Sequence, residues 1–169
     1  KGHPKESIRF GNNTSVEKKL NLKFPIVWNE PAIEEEYAQY LIHKITTSKP
    51  VNIVELGSGL STLIILKTLE QLGYKYNLIS FDSDKSYMEE TKKKLISENI
   101  TLTKNIKLIH SPIEEISING NTYKWYSKND FKFDFDKIDL LFIDGPVGGS
   151  CKNARYPAVS ILKKYLKNG

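Results

Sequence analysis

Val51-Asn-Ile-Val-Glu-Leu-Gly-Ser-Gly-Leu-Ser-Thr62 is the stretch on which the fold turns. Its first six residues form a short β-rich run. Gly57-Ser58-Gly59 follow, and then Leu60 to Leu72, a strongly apolar run that predicts a helix stopped by Gly73. The two glycines let the backbone turn tightly and approach a ligand closely. The N–H groups that open the helix, around Ser61 and Thr62, can hold a ligand's polar end. Gly-x-Gly alone is weak evidence. Its setting between a strand and a helix gives it weight. Thr62 occupies the third glycine position of the dinucleotide pattern Gly-x-Gly-x-x-Gly, which counts against a nicotinamide cofactor.

Outward from this segment, strands and helices alternate. Asn77 to Asp82 predicts a second strand, Asp84 to Asn99 an amphipathic helix with Tyr87, Thr91 and Leu95 in line, and Ile106 to His110 a third strand. Ile138 to Ile143 predicts a fourth, nearly all apolar, and Pro157 to Leu166 a last helix with Gly169 past its end. Upstream, Pro31 and three acids begin a helix whose buried stripe reads Ile33, Tyr37, Leu41, Ile45 and which Lys49-Pro50 ends. The alternation predicts an α/β fold with a parallel sheet, its strands covered on both faces. Between the third and fourth strands, Ile116 to Tyr126 departs from the pattern. Asn119-Gly120 there predicts a small hairpin. Residues 1–29 read as an arm that lays the apolar Phe24-Pro25-Ile26-Val27-Trp28 patch on a single domain over 30–169.

Three further segments carry candidate chemistry. Asp82 ends the second strand 23 residues after Gly59, where an acid can accept two hydrogen bonds from ribose hydroxyls. Ser83 beside it is a second cofactor candidate, and Ser83 or Asp84 can cap the next helix. After the third strand, Ser111 and Ile113 are candidates for the edge and face of an adenine. His110 is either structural or a base, and Glu114-Glu115 read as a solvated turn. After the fourth strand, Asp144 sits at the sheet edge where open α/β folds place their sites. Gly145, Gly148 and Gly149 give a permissive loop around Pro146. Arg155 can pair with an anionic substrate or with Asp144.

Composition limits the alternatives. No run approaches the ~20 apolar residues of a membrane span. The 169 residues carry a net charge of +5, but residues 1–23 hold six basic and two acidic side chains, leaving the body nearly neutral. Of the 25 basic residues 23 are Lys, whereas nucleic-acid readers depend on Arg, so nucleic acid is not the expected partner. Cys151 is the sole cysteine, which excludes an intramolecular disulfide and a multi-Cys metal site. The Asn-x-Ser/Thr sequons at Asn12, Asn13 and Asn99 read as chance in a chain without a visible signal segment, and the expected setting is cytoplasmic.

Glu55-Leu-Gly-Ser-Gly-Leu-Ser-Thr62, Asp82, Ile143-Asp-Gly-Pro146 and Ala154-Arg-Tyr-Pro-Ala158 together resemble class I S-adenosylmethionine-dependent methyltransferases. More narrowly, they resemble the small prokaryotic methyltransferase domain 24 family, from about Trp28 to the C-terminus. The resemblance implies a Rossmann-like sheet and S-adenosylmethionine as cofactor. Glu55, Gly57, Ser58 and Gly59 would line its methionine part, Asp82 would hold the ribose, Ser111 and Ile113 would flank adenine, and Asp144 would sit near the transferring methyl. Asp144 and His110 are the candidate bases, and Arg155 and Tyr156 the candidate acceptor contacts. No metal is assigned. The acceptor implied is an oxygen of a small molecule or sugar, on family analogy alone. The family sheet has seven strands in the order 3-2-1-4-5-7-6, whereas four are counted here. The chain therefore reads as truncated after the fourth strand and its helix, leaving an apolar edge for an oligomer or partner to cover. The competing expectations are an NAD(P)-binding oxidoreductase and a non-catalytic nucleotide-binding remnant.

Overall fold

A computed structural model describes residues 14–28 and 34–166. Four parallel strands form the central sheet. They are β1 (Asn52–Leu56), β2 (Asn77–Asp82), β3 (Ile106–His110) and, after the hairpin strands β4 (Ile113–Ile118) and β5 (Asn121–Tyr126), β6 (Leu140–Ile143). Their order is β3-β2-β1-β6, with every sheet neighbour parallel. The first crossovers run outward from β1 to β3. The chain then returns past β1 to β6, so a topological switch point falls between β1 and β6.

Side chains alternate across the sheet. Ile53, Leu78 and Phe142 face one core with α1 (Val16–Leu20), α2 (Glu35–Ser48), α3 (Leu60–Leu72) and α4 (Lys85–Ser97). Val54, Leu56, Ile79 and Phe81 face a second core, closed by the hairpin and by α5 (Tyr156–Leu162). The hairpin and an aromatic segment thus occupy the crossover between β3 and β6. Phe131 stacks on Phe81 at 4.4 Å and on Trp125 at 4.9 Å, filling that face with flat rings.

Several element boundaries follow from local chemistry. Gly73 ends α3 in the left-handed conformation (φ 68°), with its N–H on the last turn's carbonyls. Asp84 caps α4, accepting from the Tyr87 N–H at 3.0 Å. Asn119 and Gly120, both at positive φ, make the hairpin turn that joins the Ile118–Asn121 pair.

The buried stripes differ from the sequence expectation in two helices. In α2 the buried residues are Ala38, Leu41, Ile42 and Ile45, while Tyr37 is exposed; Pro31 and Ile33 lie outside the described residues. A strict spacing of four drifts about 40° around the helix per step, so it leaves the contact face within two turns. In α4 the core residue is Met88, with Thr91 and Leu95, and Tyr87 points to the sheet edge. The hairpin also starts earlier than expected. Glu114 and Glu115 lie within β4, opposite Trp125 and Lys124, because pairing continues back to Ile113–Tyr126. The last helix is shorter: α5 ends at Leu162 and a 3-10 turn follows over Lys163–Tyr165. Leu166 then forms an isolated parallel bridge to Ile138, the residue two before β6. Gly169 and the sequons at Asn12 and Asn13 lie outside the described residues.

Candidate active site

The carboxyl ends of the strands are stitched together by main-chain bonds. The Gly57 N–H donates to the Phe81 carbonyl (2.8 Å), the Asp144 and Gly145 N–H groups both donate to Leu56 (2.8 and 2.5 Å), and the Ser111 N–H donates to Asp82 (2.7 Å). The loops after β1, β2, β3 and β6 therefore leave the sheet at one edge in fixed relation.

Two glycines after β1 are required by what they touch. A Cβ on Gly57 (φ +93°) would lie 2.8 Å from the Gly145 nitrogen. One on Gly59 (φ +147°) would lie 2.8 Å from Tyr87 Oη. A Cβ on Gly145 would in turn lie 3.0 Å from the Gly57 backbone and fall where Tyr126 Oη of β5 now sits. The loops after β1 and β6 thus cross in backbone contact, under a tyrosine from the hairpin.

Glu55 and Asp82 hold this edge from below. Glu55 is fully buried, with its carboxylate accepting from three hydroxyls at 2.6 Å: Ser61 on Oε1, Thr62 and Ser80 on Oε2. Burial pushes its pKa up to about 7; the three hydroxyl bonds oppose that shift and the Asp144 charge adds to it. Thr62 Oγ1 also accepts from the Gly59 N–H (2.9 Å), so Glu55 fixes the glycine loop through Thr62. Asp82 Oδ2 accepts from the Ser58 N–H (2.8 Å) and Oγ (2.6 Å), and Oδ1 accepts from the Asp84 N–H (2.9 Å). Each carboxylate oxygen has about two acceptor positions, so Oδ1 retains room for one further donor. Asp82 thus has one open acceptor position without rearrangement, where the sequence led to an expectation of two.

The remaining candidates divide. Asp144, after β6, is about half exposed and receives Arg155 Nη2 on its carbonyl and on Oδ1 (3.2 Å). Of the two partners open to Arg155 in the sequence, the structure pairs it with Asp144. Tyr156 stacks on Tyr123 of β5 at 5.4 Å. His110 ends β3, its Nε2 3.2 Å from the Ser83 carbonyl. Three strand spacings, roughly 14 Å, separate β3 from β6, so the two candidate bases are not brought together. Ser111 is fully buried and donates to Asp130 (2.7 Å), while Ile113 opens β4. The Ser111 hydroxyl is therefore turned inward rather than offered to an adenine edge. Among the described residues, no three His, Cys, Asp or Glu side chains form a metal-binding group.

Neither Tyr87, which the sequence placed in the α4 stripe, nor Tyr126 was expected at the site. Burial raises both phenols' pKa values, as do the Asp82, Asp144 and Glu55 charges. Only their positions at the end of a strand and in the first turn after Asp82 hinted at the site.

The glycine-bearing strand-to-helix turn fits the S-adenosylmethionine cofactor. It opens α3, where a helix's first-turn amides have no acceptor within the helix, and the open acceptor position of Asp82 lies beside it. The parallel sheet with its switch point and its strand-glycine-helix edge is a Rossmann-like fold. The chain belongs to a methyltransferase domain family, whose sequence model matches residues 54–169. Its fold is similar to that of the Bacillus cereus O-methyltransferase in complex with S-adenosylhomocysteine (TM-score 0.60, 13% identity, 84% of this chain and 56% of that one). It is also similar to S-adenosylhomocysteine-bound Podospora anserina PaMTH1 (0.60, 17%, 91% and 57%). A third likeness is to TomG from Streptomyces achromogenes in complex with S-adenosylmethionine (0.60, 12%, 91% and 58%). The chain spans a little over half the length of these structures. No curated protein sequence matches it.

Proposed function

We propose that this domain holds S-adenosylmethionine across the loops after β1 and β2 and directs its methyl group to an oxygen of a small-molecule or sugar acceptor. The observation that carries the reading is the crossing of the Gly57–Gly59 and Asp144–Gly145 loops, with Asp82 beside it. The bound sulfonium supplies an electrophilic methyl group; the chain's own task is to position the acceptor in line. Gly57, Ser58 and Gly59 form the floor, and Asp82 Oδ1 takes a ribose hydroxyl. Asp144 Oδ1 is held by Arg155, which leaves Oδ2 to accept a proton from an acceptor hydroxyl. Arg155 and Tyr156 border the acceptor side. His110 lies too far from Asp144 to share that proton and serves the β2–β3 edge. The edge of β6, bridged among the described residues only through Ile138–Leu166, is where a further strand or partner adds. No helix among the described residues is long and apolar enough to cross a membrane. The single free thiol of Cys151 suits the cytoplasm.

Calorimetric titration with S-adenosylhomocysteine, with NAD as control, tests the reading. Saturable binding of the first and none of the second is expected. Asp82→Ala should lower that affinity ~10- to 100-fold, since hydrogen bonds to a charged group are worth ~1.5–3 kcal/mol each. Binding of NAD alone, or of neither ligand, overturns it.

A further inference from the structure

We propose that Tyr87 is a wall of the cofactor site that recognises the donor's positive charge, so that the domain discriminates S-adenosylmethionine from S-adenosylhomocysteine through this ring. The inference rests on the cofactor reading above and adds to it a residue and a basis for selectivity.

The ring's position is specific. Tyr87 lies in the first turn of α4, yet the core position there belongs to Met88. Its side chain instead lies over Gly59: a Cβ at that glycine would be 2.8 Å from Oη and 3.3 and 3.5 Å from two ring carbons. A Cβ at 59 would force the ring to shift, and the φ of +147° there already disfavours any other residue. The ring remains 41% exposed, so one side is packed on the glycine loop and part is open to a ligand. The charges that act on it most are Asp82, Asp144, Glu90 and Glu55, all acidic. Burial and those charges keep its phenol neutral. An aromatic face whose largest electrostatic neighbours are carboxylates is suited to a positive ligand. S-adenosylmethionine carries a sulfonium cation; S-adenosylhomocysteine differs by loss of the methyl group and of that charge. A ring that only filled space would treat the two alike.

The test is calorimetric affinity for both ligands in the wild type, Tyr87→Phe, Tyr87→Leu and Tyr87→Gln. The last two delete the ring by different chemistry, so one poorly folded variant does not decide the outcome. Both should lower the preference for S-adenosylmethionine over S-adenosylhomocysteine by ~5- to 30-fold, the range of a desolvated cation–ring contact. Tyr87→Phe should keep the preference within about twofold. Because the readout is a ratio, a general loosening of the site lowers both affinities and leaves it unmoved. An unchanged ratio in the two ring-deleted proteins overturns the role of Tyr87 while leaving the cofactor reading intact. A wild type that binds neither ligand overturns both.

Discussion

Glu55 shows what a single residue can disguise. In the sequence it precedes the glycine loop and resembles a cofactor contact. The structure buries it completely beneath that loop, ringed by the hydroxyls of Ser61, Thr62 and Ser80. The clue was present, since three hydroxyl residues stand in otherwise apolar β1–α3 and β2 runs, but only the β1–β2 register brings Ser80 opposite Glu55. Its pKa, raised from 4.5 to about 7, has a signed consequence. The folded state binds this proton more tightly than the unfolded chain. The associated stability is complete below about pH 4.5, falls as pH rises towards 7 and is gone above it. Its upper bound is about 3 kcal/mol. Glu55→Gln removes the titration. Melting temperatures of the two proteins measured from pH 4.5 to 8 should converge or cross as pH rises, the wild type losing more. Parallel curves would mean that Glu55 stays ionised throughout.

At the scale of elements, the hairpin was legible and its purpose was not. Asn119-Gly120 marks the turn, because both positions need positive φ. Nothing local reveals that Tyr126, at the far end of β5, reaches the loop after β6. That contact depends on the hairpin lying across the sheet, a long-range arrangement to which local propensity is blind. The same holds for Tyr87, which a period of four placed in the core and the real contact face placed outside it. The Tyr126–Gly145 contact can be tested as a pair. Gly145→Ala puts a methyl where Tyr126 Oη now sits and should destabilise by ~1–3 kcal/mol in urea unfolding. In a Tyr126→Phe background, which removes that oxygen, the same change should cost about 1 kcal/mol less. Gly57→Ala supplies the contrast. Its Cβ meets backbone and its φ is positive, so Tyr126→Phe should give no relief. Additive costs for Gly145→Ala and Tyr126→Phe would show that the hairpin tyrosine does not brace the crossing.

For the molecule as a whole, alternation of strands and helices made the parallel sheet readable, while the strand order that creates the switch point was implied only by the family resemblance. The N-terminal segment was harder, because its basic composition reads as an arm while its few apolar residues carry the packing. Val16 and Leu20 of α1 are buried in the first core with Ile26. The chain after them is fastened by carboxylates. Glu17 Oε1 accepts from the Ile26 N–H (3.2 Å), and Glu98, only 1% exposed, accepts from the Lys23 N–H (2.9 Å) and the Phe24 N–H (3.1 Å). Glu98 stands at the end of α4, about 75 residues from these partners, so no sequence pattern announces the link. It makes residues 14–28 part of the domain's structure and distinguishes a structural segment from a freely swinging basic arm. Glu98→Ala leaves two main-chain donors without their acceptor and should cost about 2–4 kcal/mol. It should also speed tryptic cleavage at Lys18, Lys19 and Lys23 before the sheet is cut, because the loss falls where the segment is anchored. Glu98→Gln, which keeps one acceptor oxygen, should fall between the two. Were Glu98→Ala as stable as the wild type and cleaved no faster, the segment would be held by its apolar contacts alone, and the carboxylate clamp would be incidental.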